Sequence, residues 1–152
     1  MRIKLNTLYW VLALFSVSVS AAKATSANEI YGEWVPPDMD AVISVQDCEN
    51  LLCAKLVHHE YSHLTKRDVK NPDVSLRDRA LIGLGILNNF RQAGEKKWRG
   101  GSLYDPRTGK KYIARIEMLD LDRMKITACI KKFLCKGYVW TRAKASSENS
   151  IH

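Results

Sequence analysis

Beyond about residue 95 the apolar positions recur at every second residue. In Tyr112-Ile-Ala-Arg-Ile-Glu-Met118 the side chains of Tyr112, Ala114, Ile116 and Met118 share one face, while Arg115 and Glu117 take the other. Met124, Ile126 and Ala128 repeat the pattern against Arg123, Lys125 and Thr127. Successive side chains of a strand point to opposite faces, so each run predicts a strand with one apolar and one wetted surface. Leu119 to Asp122 then forms a hairpin connection between them. Asp105-Pro-Arg-Thr-Gly109 is a turn by composition, because proline fixes one φ angle and glycine tolerates a positive one. It joins a strand ending at Tyr104 to one starting near Lys110.

Upstream, Glu29 to Val35 and Ala41 to Gln46 read as the first two strands, separated by Pro36-Pro37, and a third begins at Leu51 or Leu52. Asp68 to Arg79 contains Asn71-Pro72-Asp73 and carries too many turn residues for a strand, which predicts a long loop or a single helical turn. The sheet resumes from Leu84 to Phe90, and Gly83, Gly85, Gly100 and Gly101 are expected at bends or bulges. Short strands with turns at this spacing indicate an all-β antiparallel sandwich or barrel. Gly32-Glu33-Trp34 opens the first strand and Trp140-Thr141-Arg142 closes the last. A guanidinium stacks well on an indole, so Trp34 over Arg142 is expected to plug one end of a closed barrel.

Composition adds a compartment. Arg2 and Lys4 precede an apolar run from Leu8 to Val19, followed by small residues, the pattern of a signal peptide over 1–22 with cleavage after Ala22 or Ala24. The run is too short to span a bilayer, and no later segment offers an anchor, so an integral membrane protein is not expected. The remainder reads as one domain over 25–145 and a polar tail over 146–152. Loss of Arg2, Lys4 and Lys23 with the leader lowers the formal charge of +8 to about +5. The basic residues are scattered and form no aromatic-interleaved stripe, which argues against nucleic acid and leaves attraction to an anionic envelope surface open. Export, to the periplasm or beyond, places the four cysteines where disulfides survive. Three pairings are possible; the local one, Cys48 with Cys53 and Cys129 with Cys135, staples two short hairpins and is the expected one.

One motif carries chemistry. His59-Glu60-Tyr61-Ser62-His63 fits H-E-x-x-H, in which two histidines one helical turn apart bind zinc and the glutamate activates water. A catalytic zinc needs a third protein ligand, and the extended signature would place glycine at 66 and histidine at 69, where Lys66 and Val69 stand. Asp68 and Asp73 lie in the Asn-Pro loop. The segment is therefore read as a solvated loop, with His59 and His63 the metal candidates it leaves, and no enzyme activity or cofactor is expected. No Gly-x-Ser-x-Gly elbow occurs, and Gly83-Leu-Gly85 lacks the third glycine of a dinucleotide loop.

The series Gly32-x-Trp34, Cys48 with Leu52-Cys53-x-Lys55, Asp68-x-x-Asn71-Pro72-Asp73, Leu76-Arg77-x-Arg79-x-Leu81-x-Gly83, Trp98-x-Gly100-Gly101, Tyr104-Asp105-Pro106-x-x-Gly109-Lys110-x-Tyr112 and Trp140-Thr141-Arg142 resembles the exported bacterial family DUF2147. The resemblance implies a lipocalin-like or calycin-like barrel of about eight strands, with the Gly-x-Trp and the closing arginine sealing one end. It carries over no catalytic residues, and Ala128 stands where the family pattern leads one to expect glycine. The expected function is binding of a small apolar ligand, a lipid or fatty acid, inside the barrel by Tyr112, Ala114, Ile116, Met118, Met124 and Ile126. The alternatives are a zinc hydrolase built on His59, Glu60 and His63, or an envelope interaction or stress protein with no internal ligand.

Overall fold

The computed structural model describes residues 27–37, 39–60, 66–131 and 133–144. The expected leader, its cleavage sites, the polar tail and His63 lie outside these residues. Eight antiparallel strands form a closed barrel in sequence order: β1 (Gly32–Val35), β2 (Ala41–Cys48), β3 (Leu51–His59), β4 (Gly85–Gly94), β5 (Lys97–Asp105), β6 (Lys110–Met118), β7 (Arg123–Lys131) and β8 (Leu134–Arg142). Every neighbour in the barrel is a neighbour in sequence except at the seam, where β1 meets β8 through Trp34 opposite Arg142 and Val35 opposite Thr141.

The period-two pattern decides which side chains point inward. Ala41, Ile43 and Val45 of β2 are buried and alternate with half-buried neighbours. On β6 and β7, Ala114, Ile116, Met118, Met124 and Ile126 are buried, and Met124 pairs across from Met118. The outer face carries Arg91, Arg99, Arg115 and Lys125, all exposed. No helix among the described residues is long and apolar enough to cross a membrane. A sheet this strongly curved needs close backbone approaches. Gly101 supplies one, since a methyl group there would overlap the ring of Phe90, and the β5–β6 register shifts between Trp98 and Gly101.

One end is sealed. The sequence predicts a first strand from Glu29, but Ala27–Ile30 is a 3-10 turn and the strand begins at Gly32. Two side chains hold the turn against the barrel: Trp34 Nε1 donates to the Ile30 carbonyl at 2.8 Å, and Arg142 donates through Nη2 to Glu29 O at 2.6 Å and through Nη1 to Tyr31 O at 3.2 Å. Arg142 Nε reaches Leu121 O in the β6–β7 turn at 2.6 Å. Its guanidinium also lies 4.3 Å from the centroid of the Trp34 ring, which is fully buried. Cys48 and Cys53 are joined beside the β2–β3 turn, and Cys129 and Cys135 are joined across the β7–β8 hairpin at the other end.

That other end is partly covered by the connection from β3 to β4, which runs as a long loop with a 3-10 turn at Val74–Leu76. Arg67 and Ala80 bridge across the loop. Its centre is Asp68, fully buried. Tyr104 of β5 donates to Asp68 Oδ1 at 2.6 Å, Asn71 Nδ2 to Oδ2 at 2.8 Å, and Arg79 through Nε and Nη2 to Oδ2 at 2.9 and 2.7 Å. A carboxylate is tolerated in such a place only when paired and hydrogen-bonded this fully. Arg77 Nε adds a bond to Asn71 O at 2.8 Å. The loop also presses on the β5–β6 turn: Gly109 has φ +69°, and a methyl group there would overlap the Lys70 carbonyl. Loop and rim thus form one latched unit.

Two changes test what holds the ends. Trp34→Ala removes a fully buried indole and lowers unfolding free energy by about 3–5 kcal/mol, whereas Arg142→Lys, which cannot serve three carbonyls in a fork, costs about 1–3 kcal/mol; equilibrium denaturation measures both. Burial, reinforced by the Asp68 carboxylate, pushes the Tyr104 phenol up to about 12 from 10.0. Folding thus favours the protonated phenol, so its contribution is complete below pH 10 and is lost as pH rises through about 12. Tyr104→Phe is expected to flatten this alkaline fall in a pH series of denaturation curves.

Candidate functional site

At the end opposite Trp34 the barrel opens into a cavity of about 270 Å³. Its walls come from alternate positions of the strands that converge there: Ala41 and Ile43 of β2, Leu56 of β3, Ile86 of β4, and Tyr138 and Trp140 of β8. All are apolar or aromatic, and five of the six are buried, with Tyr138 half-buried. Pro36, Pro37 and Met39 of the β1–β2 connection line one side of the mouth.

The rest of the mouth carries its polar side chains. Tyr104, Asp105, Arg107, Tyr112 and Lys136 stand there. Asp105 and Arg107 pair with each other, Nε to Oδ1 at 3.1 Å and Nη2 to Oδ2 at 3.3 Å, and the Arg107 backbone N–H also donates to Oδ1 at 3.0 Å. Their charges largely cancel. Lys136 is different: it is exposed, its Nζ lies 5.1 Å from the centroid of the Tyr138 ring, and it forms no ion pair with a carboxylate among the described residues. The site therefore presents an apolar pocket beneath a single uncompensated ammonium. Tyr104 ties it to the latch, since the same side chain lines the cavity and donates to Asp68.

Of the six residues expected to line the interior, Tyr112 borders the cavity. Ala114, Ile116, Met118, Met124 and Ile126 are buried in the hydrophobic core and lie outside the cavity lining. Sequence reasoning passes over Ile43, Leu56, Ile86, Lys136 and Tyr138. The signal is present in the alternation of Ala41, Ile43 and Val45 and in the inward pair Tyr138 and Trp140, but alternation does not reveal the height of a residue along the barrel axis.

The described part of the histidine segment is not helical. His58 and His59 are the last residues of β3, and Glu60 follows as an irregular residue whose carboxylate lies 3.5 Å from His58 Nε2. An H-E-x-x-H site requires its two histidines on one turn of a helix, whereas His59 closes a strand and His63 lies outside the described residues. Among the described residues no group of three His, Cys, Asp or Glu side chains is placed to hold a metal ion.

Among solved structures the chain is similar to protein HP1028 from Helicobacter pylori, described as belonging to the lipocalin family, with TM-score 0.67 and 21% identity over 75% of this chain and 82% of that one. At that identity the likeness shows the fold, a lipocalin-like barrel. No curated protein matches the sequence. The model of the family described as uncharacterized protein conserved in bacteria, DUF2147, matches residues 32–142, from the first residue of β1 to the last of β8. The chain belongs to the DUF2147 family.

Proposed function

We propose that this protein is an exported barrel that binds a small amphipathic molecule, its apolar part in the cavity and an anionic group at Lys136. The observation that carries this reading is the pairing of an apolar cavity with one uncompensated ammonium at its mouth. Ligand sites are concave, mostly apolar, and oriented by a few polar groups. Ligand pockets commonly measure roughly 300–1,000 Å³, so about 270 Å³ suits a short chain or one segment of a longer lipid. The lipocalin-like fold supports a small-ligand barrel. Two disulfides suit an oxidising compartment, which supports export to the periplasm or beyond.

Trp140 in the cavity wall supplies a reporter. Decanoate is expected to change tryptophan fluorescence saturably, and Trp140→Phe is expected to remove that change. Lys136→Glu should weaken decanoate by about tenfold, the scale of a charge-assisted contact, while leaving decanol unaltered. Ala41→Phe, which fills the cavity, should abolish both. Native mass spectrometry of protein purified without denaturation checks the same point: a barrel that stays ligand-free and gives no response to decanoate or decanol would sink the reading.

A further inference from the structure

The hairpin joining β7 to β8 stands at the rim of the mouth and exposes its most apolar residues. Phe133 is 96% exposed, Ile130 65% and Leu134 63%, and Ile113 on the neighbouring strand β6 is 72% exposed beside Cys129. A phenyl ring left this fully in water contributes nothing to the core. Isolated exposed apolar residues are ordinary, but a cluster on one protruding tip marks a contact surface. The Cys129–Cys135 disulfide closes the base of this tip, with the two Cα atoms 4.0 Å apart. The bond restricts the conformations open to the tip, which lowers the ordering cost of docking.

Charge identifies the partner. Lys131 lies within the tip, Lys136 follows it, and Lys110 and Lys111 begin the neighbouring strand β6; all four are exposed and none forms an ion pair among the described residues. A stable protein interface needs a broad complementary surface of roughly 800 Å² on each side, whereas the exposed large apolar residues here are four, Ile113, Ile130, Phe133 and Leu134. Aromatic and aliphatic side chains ringed by lysines suit the boundary between anionic headgroups and acyl chains. We propose that the β7–β8 tip docks reversibly on an anionic lipid bilayer, with Phe133 and Leu134 entering the headgroup boundary and the lysines facing lipid phosphates. Lys136 and Tyr138 of the same hairpin line the cavity, so a docked tip brings the mouth to the membrane surface. Lys131, Phe133 and Leu134 stand outside the cavity lining, so their docking does not require a ligand in the cavity.

The test is co-sedimentation of the disulfide-bonded protein with vesicles of phosphatidylcholine alone and of phosphatidylcholine mixed with phosphatidylglycerol. The protein should pellet with the mixed vesicles, far less with the neutral ones, and less again as salt rises. The double variant Phe133→Ser, Leu134→Ser should lose about tenfold or more in partitioning, the scale of removing two interfacial apolar side chains. Far-UV circular dichroism should remain unchanged, since both residues are exposed. In a Phe133→Trp variant, mixed vesicles should blue-shift an emission component absent from the parent protein. Failure of the parent protein to pellet with mixed vesicles, equal pelleting by the double variant, or an unshifted Phe133→Trp spectrum would each overturn the proposal. So would a concentration-dependent dimer abolished by the double variant, which would assign the tip to a second copy of the chain.

Discussion

The barrel closes through its shortest strand. β1 supplies four residues and meets β8 at only two positions, Trp34 opposite Arg142 and Val35 opposite Thr141, while β2 with β3 and β7 with β8 each pair at eight. A seam that thin would fray if backbone bonds alone held it. Arg142 compensates by gathering three separate pieces of chain: carbonyls of the 3-10 turn, a carbonyl of the β6–β7 turn, and the face of Trp34. The planar fork of arginine suits divergent carbonyls, and its flat face suits an indole. Closure removes the unpaired strand edges that would otherwise invite pairing with another chain.

At the other end the same problem is solved with a different charge. Asp68 takes hydrogen bonds from a loop asparagine, a loop arginine and a barrel tyrosine, and so fastens a long connection to the rim. The two ends differ in what they leave behind. Arg142 draws the chain inward over a filled interior, whereas Asp68 holds the loop to one side and leaves the cavity open. The family motifs around Asp68, Arg79, Tyr104 and Gly109, far apart in sequence, converge on this latch.

Much of this architecture is legible in the chain. Period-two alternation marks β6 and β7, turn composition marks the β5–β6 connection, and the bracketing tryptophan and arginine place the seam. The start of β1 is misread because Glu29-Ile30-Tyr31 has the composition of a strand, whereas a Tyr31 N–H bond to Asn28 O and the bonds from Trp34 and Arg142 to nearby carbonyls hold a 3-10 turn. Asp68 falls among solvated turn residues for a related reason. Asn-Pro-Asp composition reports a turn but does not report which carboxylate will meet a tyrosine and an arginine from elsewhere. Cavity residues are hidden by geometry, since every inward position looks alike along one strand and only the assembled barrel shows which lie above the filled level.

That filled level explains why a cavity exists. An eight-stranded barrel is just wide enough for side chains to fill, so closure alone does not create an empty interior. Towards the sealed end Trp34, Phe90 and Trp98 are buried and occupy the width with large rings. Towards the open end the inward positions of β2, β3 and β4 hold Ala41, Ile43, Leu56 and Ile86, and the aromatic residues there come chiefly from β8 and the rim. Rings packed at every level would have removed the void and gained buried area at about 25 cal/mol per Å². The space is therefore a consequence of residue size at one height of the barrel. It lies beneath the rim that carries Lys136, and the exposed tip of the disulfide-closed β7–β8 hairpin stands beside it.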